Sequence, residues 1–325
     1  MMTLKTAAVG LPLGGGKGGV AVNPKELSPA EVEEMSRKYV QALEPHIGPD
    51  KDIPAPDVNT NATVIDWMTD EYARRTGDTT KASFTGKSLR NGGSRGREAA
   101  TGRGGVIALA ELLQLSGQAG KPMTVAIQGF GNVGQFFATV AQADHPEWRV
   151  VAVSDSHTAV MNTAGLDATA LTDFKRSGGR FENFEHPNST RMPASELLGL
   201  EIDILVLAAL GDVIAEHNMN SVHARYVVEL ANGPITTAAY THLSKEGVVI
   251  IPDIIANAGG VIVSYLEWLQ NREGKQWSEQ EVNQQLASYL QKAMRAVYEL
   301  AESEKVPLKE AAVMIAIREL VARVP

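Results

Sequence analysis

Met123-Thr124-Val125-Ala126-Ile127-Gln128 reads as a buried strand, and Gly129-Phe130-Gly131-Asn132-Val133-Gly134 follows it as G-x-G-x-x-G. A helical pattern continues from Gln135 to about Ala143, and Arg149 to Ser154 is a second apolar strand ending at Asp155. Each glycine has a separate task in such a unit: a tight turn at Gly129, close approach to a pyrophosphate at Gly131, and close helix–strand packing at Gly134. The free amides at the helix start then face the phosphates. An ordinary βαβ unit is the alternative. A lone G-x-G-x-x-G would be weak evidence, but strand, glycines, helix, strand and acid in that order favour a bound dinucleotide. The acid lies slightly beyond the usual ~20 residues, which the Asp144-His145-Pro146-Glu147-Trp148 stretch explains. Asp155 suits the ribose hydroxyls of NAD, whereas Ser156 and His157 tolerate the extra phosphate of NADP, so the choice between them stays open.

Outward from this unit, strand-like runs recur at 202–207, 226–230 and 248–251, separated by helical or turn-rich stretches, as a parallel α/β sheet requires. Helices are expected from Ser28 to about Leu43, around Val64 to Tyr72, from Glu98 to about Leu115, from Val261 past Trp268, from Ser278 towards Ser303, and after Pro307. Ser28 with Glu31, and Ser278 with Glu281, have capping-box spacing.

Leu11-Pro12-Leu13-Gly14-Gly15-Gly16-Lys17-Gly18-Gly19 sets one lysine among five glycines. So much conformational entropy is given up most usefully for access, because amides and the amine then press close to a small ligand. A phosphate loop fails on spacing, since G-x-x-x-x-G-K-[ST] would need glycine where Leu11 stands and Ser or Thr where Gly18 stands. A flexible loop with a solvated lysine is the plainer alternative. Asp57 follows Pro56 in the extended Asp52–Asn61 loop, where an acid/base role and a helix N-cap are about equally expected. Arg97 closes a glycine- and arginine-rich loop whose default reading is a solvated basic surface. Asn257-Ala258-Gly259-Gly260 enters a helix, with Ser264 one to two turns inside; a serine bonded to its own helix is the alternative there.

Composition bounds the possibilities. With 325 residues, 44% hydrophobic and 21% charged, the chain has room for two globular domains. A net charge of −8 argues against nucleic acid or an anionic membrane as partner. The absence of cysteine removes disulfides, thiol catalysis and cysteine-based metal sites. No His-rich metal site is seen, and no apolar run approaches a membrane span. The apolar residues between Ala7 and Leu13 are too few for a signal peptide, so the expected compartment is the cytoplasm.

Taken together these stretches resemble the Glu/Leu/Phe/Val amino-acid dehydrogenase family, its glutamate-specific members most of all. The resemblance runs nearly end to end, through Lys5 with Leu11 to Gly19, Pro54 to Asn61, Trp67 to Tyr72, and Phe84 to Lys87. It continues through Gly92 to Ser94, Ala100 to Gly102, Gly129 to Gly134, Glu229 to Pro234, and Asn257 to Gly260. It implies an α/β protein with two domains around a cleft: an amino-acid dehydrogenase substrate domain, N-terminally incomplete, plus a Rossmann-like dinucleotide-binding domain. The expected boundaries are 1–95 for the substrate domain, 96–288 for the dinucleotide domain, and 289–325 for C-terminal helices returning to the substrate domain.

The resemblance further implies NAD- or NADP-dependent, reversible oxidative deamination of glutamate to 2-oxoglutarate and ammonia. Lys17 matches the catalytic lysine and Asp57 the general acid/base. Lys5 matches a lysine for the substrate α-carboxylate; Ser264 and the nearby Arg97 match residues at the side-chain carboxylate. Thr101, Asn132 and Asn257 match residues that hold the nicotinamide end. Lys17, desolvated in a closing cleft and near the cation of Lys5, is expected to lose its proton readily enough to activate water. The family implies homo-oligomers, typically hexamers. It also implies on the order of a hundred residues, a domain's worth, ahead of the point matching Met1. Arg95, between Ser94 and Gly96, departs from the pattern. Two alternatives stand beside this reading: a catalytically impaired regulatory or structural subunit of a hetero-oligomer, and a branched-chain amino-acid dehydrogenase.

Overall fold

A computed structural model describes residues 1–323; of the C-terminal segment expected over 289–325, residues 324 and 325 lie outside the described range. The order is α1 (Met2–Ala8), α2 (Pro29–Leu43), α3 (Ala62–Thr76), α4 (Ala100–Leu115), β1 (Met123–Gln128), α5 (Asn132–Asp144), β2 (Trp148–Ser154) and β3 (Thr158–Met161). There follow α6 (Ala168–Arg176), β4 (Thr190–Pro193), β5 (Ile204–Leu207), β6 (Tyr226–Glu229), α7 (Thr237–Lys245), β7 (Val249–Ile251), α8 (Asp253–Ala256), α9 (Gly259–Glu273), α10 (Glu279–Glu304) and α11 (Leu308–Ala322). The architecture is α/β, and the described chain forms two units: residues 1–14, 99–259 and 287–323 make the first, and 15–98 with 260–286 the second.

The first unit is built on a seven-stranded sheet in the order β4-β3-β2-β1-β5-β6-β7. Pairing is parallel from β2 through β7, with β1 central between β2 and β5. The sequence pattern implies a parallel sheet, but the sheet is mixed. β3 and β4 add antiparallel to its edge, in register Ala152↔Met161 and Val160↔Arg191. The turn from Asp155 to Thr158 sends the chain straight back beside β2, leaving no room for a crossover helix. The central strands are buried on both faces, which is why Ile204-Leu205-Val206-Leu207 carries no polar alternation.

The division differs from the expected boundaries at the N-terminus. α1 packs against α11 and α8, and Arg323 donates to the carbonyls of Leu11 and Leu13, so residues 1–14 belong with the sheet. Residues 260–286, expected in the dinucleotide domain, group with the second unit instead, because α9 bonds into the 84–94 loop.

In the second unit, α2 and α3 bury Val40, Val64, Ile65, Met68 and Tyr72 with Phe84. Tyr72 meets Phe84 edge-on at a centroid distance of 6.0 Å. Burying each such side chain contributes roughly 1.5–3 kcal/mol. The Ser28–Glu31 capping box opens α2 as expected.

Candidate active site

The N-cap of α3 settles the first question about Asp57. Asn61 fills that position, its Oδ1 accepting from the amides of Thr63 (3.0 Å) and Val64 (3.2 Å). Asp57 is therefore released from capping. Its backbone is held by Thr60, whose Oγ1 accepts from the Asp57 amide at 2.6 Å and donates to the Asp57 carbonyl at 2.7 Å. Asp57 Oδ1 accepts from the Val58 amide at 2.8 Å, and Oδ2 accepts from Lys17 Nζ.

Lys17 thus has a partner while remaining open to solvent. The Lys17 side chain is 64% exposed and that of Asp57 48%. So open an ion pair contributes at most ~1 kcal/mol to folding. Its five surrounding glycines keep side-chain bulk away from it, so what the pair offers is an amine and a carboxylate, hydrogen-bonded and open to a small molecule.

Elsewhere in the second unit, Arg97 Nε donates to Ser264 Oγ at 3.3 Å. The two terminal guanidinium nitrogens make no hydrogen bond among the described residues. Desolvation pulls the Arg97 pKa down against the opposing pull of the Glu267 carboxylate, but a guanidinium stays charged. A half-buried, forked cation beside a hydroxyl suits a carboxylate ligand. This replaces the solvated-loop reading for Arg97 and the self-bonded one for Ser264.

In the first unit, the glycines after β1 divide their work as their positions require. Gly129 has φ +90°, and a Cβ there would lie 2.6 Å from Ala209 Cβ; at Gly134 it would lie 2.1 Å from the Gly129 carbonyl oxygen. At Gly131 it would meet nothing within 4 Å. The turn and the packing need two glycines, and the third leaves open space for a ligand at the start of α5, where Asn132 and Val133 stand. Phe130 is buried against Phe181, so only its backbone is available there.

Asp155 is engaged internally. Its Oδ1 accepts from the amides of His157 and Thr158, both at 3.1 Å, and its Oδ2 from the Phe181 amide at 3.0 Å and Lys175 Nζ at 3.2 Å. Burial pushes this carboxyl up, but the amides and the lysine outweigh it and hold the pKa at about 2. The exposed polar groups there are instead Ser156 and His157, bonded to each other at 2.7 Å, at a cavity also lined by Lys175 and Arg180.

A polar chain lies at the β6–α8 end of the same unit. Lys5 Nζ donates to Asn232 Oδ1 at 3.2 Å, and Asn257 Nδ2 donates to the same oxygen at 3.1 Å and to the carbonyls of Leu230 and Ala231 at 3.2 Å. Asn257 Oδ1 is buried and unpaired. A buried orphan acceptor is costly unless a ligand donates to it, and the carboxamide of a nicotinamide is such a donor. Thr101, in the first turn of α4, carries a hydroxyl that makes no hydrogen bond among the described residues. The open Gly131 and the orphan Asn257 Oδ1 therefore fit a nicotinamide dinucleotide. Sequence reasoning gave Asn232 no role, although it joins Lys5 to Asn257. It likewise gave no role to Glu229, a buried side chain that takes the Asp253 amide and Lys309 and so anchors the 230–233 loop.

Residues 92–324 match the family model described as Glutamate/Leucine/Phenylalanine/Valine dehydrogenase, and residues 1–74 match the model of its dimerisation domain. The chain belongs to the Glu/Leu/Phe/Val dehydrogenase family. It is 44% identical over 316 residues to glutamate dehydrogenase of Thermotoga maritima, covering 97% of this chain and 75% of that protein. Identity is 42% over 318 residues to the NAD-specific glutamate dehydrogenase of Staphylococcus aureus, covering 98% of this chain and 75% of that protein. It is 41% over 326 residues to the NADP-specific enzyme of Synechocystis, covering 98% and 76%. Among solved structures, the hetero-hexameric glutamate dehydrogenase of Thermus thermophilus, in a Leu-bound form, aligns with TM-score 0.88 and 35% identity, over 98% of this chain and 75% of that one. Among the described residues of this family member, no helix is long and apolar enough to cross a membrane, and no cluster of three metal-ligating side chains occurs.

Proposed function

We propose that this chain catalyses reversible, NAD- or NADP-dependent oxidative deamination of L-glutamate. The observation that carries the reading is the hydrogen bond from Lys17 to Asp57 within the glycine-framed loop. Glutamate, oxidised cofactor and water become 2-oxoglutarate, ammonium, reduced cofactor and a proton. A bound nicotinamide supplies the acceptor for the hydride that leaves the substrate Cα.

The chain's own residues account for the rest. Asp57 takes a proton from the substrate ammonium and passes it to solvent, as the proton of the overall equation, freeing the amine lone pair that drives hydride departure and leaving the Lys17–Asp57 pair with its single proton. Proton transfer along the Lys17–Asp57 hydrogen bond interconverts an ammonium–carboxylate pair and an amine–carboxylic acid pair. The second state suits hydrolysis of the imine: Lys17 accepts a proton from the attacking water, and Asp57 protonates the departing ammonia. Lys5 is assigned to the α-carboxylate, and Arg97 with Ser264 to the side-chain carboxylate. Asn257, Thr101 and Asn132 are assigned to the nicotinamide end, and the Gly129–Gly134 turn to the pyrophosphate. The polar Arg97–Ser264 pair favours glutamate over branched-chain substrates, since an apolar side chain would leave a half-buried cation unpaired.

The presence of both members of the Lys17–Asp57 pair argues against a purely structural subunit. The hexameric Thermus thermophilus relative supports oligomeric assembly here too, which light scattering tests. The substrate assignment is tested by comparing glutamate, leucine and valine as reductants of NAD and NADP. Turnover with glutamate alone is expected; turnover with leucine or valine and none with glutamate would overturn it.

A further inference from the structure

Lys87 and Glu267 form an ion pair whose two side chains are both 0% exposed, at 2.7 Å, 180 residues apart in sequence. Nothing in the proposed chemistry uses them. Glu267 is also more heavily bonded than a counter-ion needs to be. Its oxygens accept from the amide of Gly86 (3.0 Å to each), of Lys87 (3.3 Å) and of Ser94 (3.2 Å). The Lys87 ammonium bonds in addition to the Phe84 carbonyl. Burial lowers the Lys87 pKa, and the Glu267 charge opposes that shift. An isolated pair like this is weak evidence for stability, because apolar residues of similar volume would often do as well. Its retention calls for another reason.

That reason lies in what Gly86 touches. Gly86 has φ +84°, and a Cβ there would lie 2.4 Å and 2.5 Å from the ring carbons of Pro56. The Thr85 amide donates to the Pro54 carbonyl at 3.0 Å. The turn clamped by Glu267 is therefore the floor on which Pro54-Ala55-Pro56 rests, and Asp57 is the next residue. Glu267 also stands three residues after Ser264 on α9, the spacing that places two side chains on one helix face. Its charge is the one that acts on Arg97.

We infer that Glu267, clamped by Lys87, is a positioning residue: it fixes the Gly86 turn against Pro56 and thereby sets where the Asp57 carboxylate meets Lys17. The inference rests on Asp57 being the acid/base of the reaction only for its catalytic consequence; the positioning itself is a structural relation readable without turnover.

Glu267→Asp is the informative variant, since it keeps the charge and shortens the reach by one carbon. In the full chain, the amide resonances of Gly86 and Ser94 are expected to move, and with them those of Val58 and Thr60, which report the two local bonds of Asp57. Turnover is expected to fall by about tenfold to a hundredfold, with the dissociation constant of the reduced cofactor unchanged, as a small misplacement of a catalytic group requires. Movement of Gly86 and Ser94 with Val58 and Thr60 unmoved would overturn the inference. If Glu267→Asp does not fold, Gly86→Ala probes the same contact from the other side. Its added methyl displaces Pro56, and unmoved Val58 and Thr60 signals would again overturn the inference. If the unaltered chain has no turnover, that counts against the proposed reaction, while the resonances still decide the positioning.

Discussion

Lys17 donates to Asp57 Oδ2 across forty residues of sequence, although both side chains are about half exposed or more. An ion pair this open adds little to stability, so the two residues are better measured by reactivity than by unfolding. Lys17→Ala should lower kcat by about a hundredfold to ten-thousandfold, the usual span for loss of an acid/base group. NAD(P)H binding, followed by fluorescence, should stay nearly unchanged, because the residues proposed to hold the dinucleotide belong to the other unit. The melting temperature should not move measurably.

The three glycines after β1 should separate stability from binding. Gly134→Ala places a methyl against the Gly129 carbonyl and should cost about 1–3 kcal/mol in urea unfolding. Gly131→Ala meets open space, so it should leave the unfolding midpoint in place and weaken dinucleotide affinity in a fluorescence titration.

Asp155 makes a pH prediction. Its pKa falls from 3.8 to about 2 on folding, so it contributes stability above the unfolded value that disappears as pH falls through about 2. With its side chain 16% exposed, the contribution is roughly 2 kcal/mol. Urea unfolding followed from about pH 5 to about pH 2 should show that loss, and Asp155→Asn should remove this component of the slope.

Ser264→Ala removes the hydroxyl that accepts from Arg97. A hydrogen bond to a charged group contributes about 1.5–3 kcal/mol, so the KM for glutamate should rise tenfold or more. Cofactor affinity should be unaffected, as initial-rate kinetics with varied glutamate and a separate binding titration would establish.

Lys87→Met leaves the Glu267 carboxylate buried without its cation and should cost about 3–5 kcal/mol in chemical unfolding, far more than loss of any exposed pair in the chain.

Local signals carried most of the fold. Ser28–Glu31 capped α2 as its spacing implied, and the apolar runs at 202–207, 226–230 and 248–251 became β5, β6 and β7 within two residues. The edge strand β4 was missed because Thr190–Pro193 is mostly exposed and includes a proline, and β3 because its four residues are too short to show a period. The short α1 was missed because Met2–Ala8 has no side-chain cap and its burial comes from α11 and α8, over two hundred residues away. At the site, motif spacing marked Lys17, Asp57 and the glycine turn. It could not show that Asn61 takes the cap, that Asp155 is saturated by its own turn together with Lys175 and the Phe181 amide, or that Glu267 clamps Gly86. Each of these depends on which donor reaches which acceptor after folding, and a residue type in a sequence does not carry that information.

The central claim is the reaction, and the most direct measurement is oxidation of NADH or NADPH by the purified chain, followed by absorbance with 2-oxoglutarate and ammonium present together. The account predicts oxidation that requires both and is lost in Lys17→Ala. Oxidation that proceeds without ammonium, or that persists unchanged in Lys17→Ala, would contradict it.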